Sequence, residues 1–151
     1  MLNQIKLFFE QHLALSAPEK ITEQQLRLAS VALLIEMTLM DDNNAAIERQ
    51  MVLSLVEKGF ALNSAEAEAL ITEAEQQAKH ATDYFQFTSL INKHCSLEQK
   101  VQLIESLWKV AYADGKLDPQ EEYLVRKIAD LLYVPHLDFI MAKNRVNQAV
   151  V

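Results

Sequence analysis

LIESLWKVAYADGKLDPQEEYLVRKIADLL, residues 103–132, reads as an apolar helix, a tight acidic turn and a second amphipathic helix. Ile104, Leu107, Trp108, Ala111 and Tyr112 recur at helical spacing before the turn, and Leu124, Val125, Ile128, Leu131 and Leu132 resume the period after it. The junction ADGKLDPQEE has a purely local explanation. Gly115 suits the left-handed position past a helix end, Asp118 can cap the next helix, Pro119 falls in its first turn, and Glu121 stands three residues after the cap, as in a capping box. Two acids are left over. Asp114 sits at the C-terminal end of a helix, where the macrodipole disfavours negative charge, and Glu122 adds a second carboxylate beside Glu121. With Lys116 as the compensating cation, such a cluster invites neutralisation, and a hard divalent ion is one candidate.

The pattern occurs a second time. A shift of 73 positions lays Asp41 on Asp114, Glu48 on Glu121 and Glu57 on Asp130. The same shift lays Val31, Leu34, Ile35, Met37, Met51, Val52 and Leu55 on apolar positions of the later copy. Acids coinciding at both edges of the turn point to an internal duplication, so the chain reads as two pseudo-symmetric helical hairpins. In the first turn, Asn43 and Asn44 replace the glycine and the cap, since asparagine tolerates left-handed geometry and can cap.

Composition agrees with an all-α, single-domain bundle of about seven to eight helices. The 151 residues suffice for one core, and only 2 glycines and 3 prolines leave few strand turns. Residues 1–20 read as an N-terminal helical arm with Ile5, Phe8 and Phe9 on its apolar side, residues 21–146 as the helical domain, and residues 147–151 as a frayed tail. Capping boxes at Thr22/Gln25, Asn63/Glu66 and Ser96/Gln99 start three helices, and Gly59 is expected to end another. From residue 26 to 40 only Arg27, Ser30, Glu36 and Thr38 are not apolar, which places that helix in the middle of the bundle and makes Glu36 conspicuous there. Residues 64–80, rich in Ala and Glu, suggest a mostly solvated helix.

Several functional classes are disfavoured. A net charge of −7 without a basic stripe argues against nucleic acid and for cations or basic protein surfaces as partners. No apolar run is long enough to span a bilayer, and Glu10, Gln11 and His12 interrupt the N-terminal stretch where a signal peptide would need an apolar core. The single Cys95 excludes an internal disulfide, so the expectation is a cytoplasmic protein. His12, His80, His94 and His136 lack zinc spacing, and no nucleophile, base or phosphate-binding glycine loop accompanies the acids, so no enzymatic activity and no catalytic residue is expected.

LWKVAYADGKLDPQEEYLVRKIADLL, residues 107–132, resembles the signature of the TerB-like family, the helical tellurite-resistance protein B domain of bacteria, and IEMTLMDDNNAAIERQMVLSLVEKGF, residues 35–60, is similar to its partner motif. The resemblance covers about residues 22–143. It implies an all-α fold of two related halves that bring acidic residues together to bind a divalent metal. The match falls on Glu36, Asp41 and Glu48 in the first motif and on Asp114, Asp118 and Glu121 in the second. The first turn departs from the family pattern, with Asn43, Asn44 and Ala45 where a glycine and a second acid are expected. Oxygen-only ligands favour Ca²⁺ or Mg²⁺ over zinc, although the turn has neither the alternating acids nor the terminal glutamate of an EF-hand. The resemblance also implies protein partners in a membrane-associated stress complex. The alternative is a purely structural interaction domain, related to those that accompany co-chaperones, whose acids serve as caps.

Overall fold

The computed structural model describes residues 22–40 and 44–150. Seven helices occupy them: α1 Glu23–Thr38, α2 Ala45–Phe60, α3 Ser64–His80, α4 Phe85–His94, α5 Leu97–Ala111, α6 Pro119–Leu131 and α7 His136–Val150. No strand occurs among the described residues. The expected N-terminal arm and Asp41 lie outside them. All three capping boxes are present, each with the cap side chain on the N3 N–H and the N3 side chain returning to the cap N–H. Helix α7 continues to Val150, past the end near Val146 that the apolar pattern suggests.

α1 and α5 are the two inner helices. α1 packs on α2, α3, α4 and α5, and α5 packs on α1, α2, α6 and α7. Ala29, Val31 to Ile35 and Met37 of α1 are buried, because its sequence leaves almost no polar face to present to water. Opposite them lie Leu103, Ile104, Leu107, Trp108, Val110 and Ala111 of α5. The Trp108 ring is fully enclosed, with its centroid 5.1 Å from that of Phe139 and 6.2 Å from that of Tyr112. Packing repeats between the halves: α1 holds α2 and α3 as α5 holds α6 and α7, with α4 between the two sets.

α3 is exposed along most of its surface, as its Ala- and Glu-rich sequence suggests. It also carries a narrow buried stripe, Ala67, Leu70, Ile71, Ala74 and Ala78, and makes the most extensive of α1's contacts. Short alanine side chains let the two backbones approach, which a count of charges along the sequence does not reveal. One sequence expectation changes: Gly59 does not end α2. The helix runs on to Phe60, and Ala61 takes the left-handed conformation at φ 54°. The Leu62 N–H then donates to the Glu57 carbonyl at 3.0 Å. α6 ends the same way, with Tyr133 at φ 57° and the Val134 N–H on the Ala129 carbonyl at 2.9 Å. Both are Schellman closures that fold an apolar residue, Leu62 or Val134, back onto the core.

Candidate functional site

The second acidic turn is built from backbone and short side chains. After α5, Gly115 adopts φ 84° and donates to the Tyr112 carbonyl at 2.8 Å. That conformation is open to glycine at little cost. Asp114 accepts a hydrogen bond from the Lys116 N–H at 3.0 Å, closing the loop. Asp118 caps α6 by accepting from the Gln120 N–H at 2.7 Å, and Pro119 opens the helix. The cap bond goes to Gln120, one residue short of the Glu121 N–H that a capping box would use. The Glu121 side chain instead turns inward.

Glu121 is 3% exposed and Glu48 is 2% exposed. The reason is their place on the helix. Glu48, Val52 and Val56 of α2 follow one another at four-residue spacing on the buried side, and Glu121, Val125 and Ala129 of α6 do the same. Each glutamate is the turn-end member of an otherwise apolar stripe. Each also lies in the first turn of its helix, where the macrodipole favours a negative charge. Asn44 stands at the cap position of α2 with φ −116° and forms no side-chain cap bond, contrary to the sequence expectation.

Glu36 occupies a different setting. It lies half-buried in a cleft between α1, α4 and α6, shared with Tyr84, Asp83 and Lys127. Burial raises its carboxyl above the usual range. The Tyr84 hydroxyl is also raised, first by burial and then by the Glu36 charge, and the Lys127 ammonium stands 5.4 Å from the centre of the Tyr84 ring. Tyr84 stands at the cap position before α4 and Lys127 in α6, so nothing in their sequence spacing joins them to Glu36.

Of the six acids singled out in the sequence, then, Asp114 and Asp118 shape their own turn, Glu48 and Glu121 are buried at matching positions, Glu36 faces Tyr84, and Asp41 lies outside the described residues. Among the described residues no group of three or more His, Cys, Asp or Glu side chains is placed to hold a metal ion. Burial raises the Cys95 thiol above its ordinary value, the opposite of activation.

The family model described as tellurite resistance protein TerB matches residues 27–144. No curated protein and no solved structure matches the chain.

Proposed function

The chain belongs to the tellurite resistance protein TerB family, and on that premise we propose that it is a non-enzymatic helical module that binds a hard divalent cation, Ca²⁺ or Mg²⁺, at its paired acidic turns and docks protein partners in a response to tellurite, metal or general stress. The observation that carries this reading is the burial of Glu48 and Glu121 at equivalent positions of the two halves. Each glutamate already has an interaction partner within the protein; what supports the reading is that an inward carboxylate recurs at the same place in both halves, at the head of a helix beside an acidic turn. Glu48 and Glu121 would be the inner ligands, with Asp41, Asp114 and Asp118 at the turns beside them and Glu36 as a more distant acid. A bound ion would supply positive charge that neutralises the turns and fixes them. The net charge of −7 favours basic partner surfaces, and no described helix is long and apolar enough to cross a membrane. We place the module in the cytoplasm, acting beside a membrane-associated complex.

Calorimetric titration of chelator-treated protein with Ca²⁺ and then Mg²⁺ tests the cation. Saturable binding near one equivalent is expected, with loss in Glu48→Gln and Glu121→Gln. Asp114→Asn keeps an acceptor for the Lys116 N–H while removing the charge, so weakened binding in that variant would assign Asp114 to the ion rather than only to the turn. Absence of heat in the unaltered protein would refute cation binding. Incubation with generic phosphate esters and Mg²⁺ or Mn²⁺ should give no turnover; hydrolysis lost in the glutamate variants would overturn the non-enzymatic reading.

The short bonds from Lys116 to Asp114 and from Gln120 to Asp118 favour a second reading, in which these two acids are structural and the domain serves protein interaction alone. Under it, Asp114→Ala destabilises the ion-free protein by about 1 kcal/mol through the lost hydrogen bond. If charge repulsion dominates instead, the same variant is more stable than the parent.

A further inference from the structure

A second feature, remote in character from the acidic turns, is a cleft of about 400 Å³ between α1, α2, α4 and α5. That volume is within the range of small-molecule sites. Leu26, Leu34, Leu55, Phe60, Ile91 and Leu103 give it apolar walls, and Ser30, Gln99, Gln102 and Ser106 add neutral polar groups. Among the described residues that line it, the one cationic side chain is Arg27. The guanidinium is held over the Phe60 ring, 4.9 Å from its centre, and Nη2 donates to Glu23 at 2.9 Å. Its Nε–H is buried and has no hydrogen-bond partner among the described residues. A buried donor on a charged group left in this state is costly. We propose that the cleft binds a small monocarboxylate with an apolar tail, of the medium-chain fatty acid class, whose carboxylate accepts from Arg27 Nε–H while the tail lies along the leucine and phenylalanine walls.

The chemistry narrows the ligand in two ways. A single buried, unpartnered donor beside the Glu23 carboxylate suits a single negative charge and disfavours a phosphate dianion, which needs several donors and would be repelled by Glu23. The walls reward burial of methylene groups, so a small hydrophilic acid such as acetate would gain little. Arg27 is also pre-positioned by Phe60 and Glu23, which limits the entropy lost when it receives a ligand.

The test uses sodium octanoate on the full chain. Cys95 lines the same cleft and is the only cysteine, so its reaction with a thiol reagent reports occupancy at this place. Octanoate should bind saturably by calorimetry and slow the Cys95 reaction in proportion to occupancy. Octanol and octylamine, which carry the same tail, should bind at least about tenfold more weakly, and Arg27→Met should weaken octanoate by about tenfold or more while melting remains cooperative. Arg27→Lys keeps the charge but not the Nε donor, and should fall between. The proposal is overturned if octanoate fails to bind, if octanol binds as tightly, or if Cys95 reacts at an unchanged rate when octanoate is bound. These comparisons use the unaltered protein, so a poorly folding variant does not decide the matter.

Discussion

The two hairpins bury the same things and decorate them differently. Glu48, Val52 and Val56 in α2 correspond to Glu121, Val125 and Ala129 in α6, and both sets are enclosed. The cap positions that open these helices are not alike. That of α6 is a capping Asp118, with Gly115 at φ 84° before it and Pro119 after it, while that of α2 is Asn44 without a side-chain cap bond. The outer seams differ even in sign. Arg49 of α2 reaches Glu68 at 2.7 Å and Glu75 at 3.1 Å on α3. The matching position in α6 is Glu122, and it meets Lys143 of α7 at 3.5 Å. One seam is an arginine between two glutamates and the other a glutamate facing a lysine. Interhelical attraction can be satisfied with either arrangement of charge, whereas the inward carboxylate at the head of each buried stripe has stayed the same in both halves.

The largest difference between the halves is expected in the core. Trp108 takes the place in α5 that Ile35 holds in α1, and both are fully buried. Trp108→Ala should cost about 3–5 kcal/mol and Ile35→Ala roughly 2–4 kcal/mol in denaturant unfolding, since the indole also packs on Phe139 and Tyr112. Equal losses would mean that the second half draws no extra stability from its aromatic cluster. At the seams the expected effects are smaller. Arg49→Met should cost about 1 kcal/mol and Lys143→Met about half of that, both reduced by added salt, because the side chains are partly exposed.

Backbone substitutions sharpen the likeness of the two helix ends. An alanine Cβ at Gly59 would meet nothing within 4 Å, so Gly59→Ala should stabilise α2 by about 0.5–1 kcal/mol. Ala61→Gly and Tyr133→Gly relieve left-handed strain but add freedom to the unfolded chain, leaving a gain of roughly 0.5 kcal/mol at each end. A gain at one closure and a loss at the other would show that the two Schellman ends are not equivalent.

Glu36 supplies the smallest effect and a pH signature. Because burial raises its folded-state value, the folded chain binds that proton more tightly than the unfolded chain does. Stability from this group is therefore fully present below the ordinary carboxyl value and lost as pH rises through the raised one. Glu36→Gln should make the protein slightly more stable at neutral pH, with the difference closing on acidification. A loss of stability at neutral pH would mean that the charged form is favoured by its neighbours, Lys127 foremost.

Much of this architecture is legible in the chain. Thr22 with Gln25, Asn63 with Glu66 and Ser96 with Gln99 announce helix starts because a cap is a local bond between residues three apart. The 73-residue shift is visible because core positions repeat in both copies. What escapes is decided across the fold. The end of α2 depends on Leu62 reaching the core, which shifts the left-handed residue from Gly59 to Ala61. The environment of Glu36 depends on where α4 and α6 place Tyr84 and Lys127. The burial of Glu121 could have been read from its place four residues before Val125, but the capping-box pattern offered a competing local role, and only tertiary packing distinguishes them. Arg27 was visible as a cation in an apolar run, though not as the cationic wall of a cleft.

The most direct test of the paired-turn account is a set of thermal melts of chelator-treated parent, Glu48→Gln and Glu121→Gln proteins, with and without Ca²⁺ or Mg²⁺. At an ion concentration about a hundredfold above the dissociation constant, the parent should gain about 2.7 kcal/mol, or roughly 5–10 °C in melting temperature for a domain of this size. Both variants should lose that rise to the same extent. A rise that survives in either variant would contradict the claim that the two buried glutamates act together on one ion.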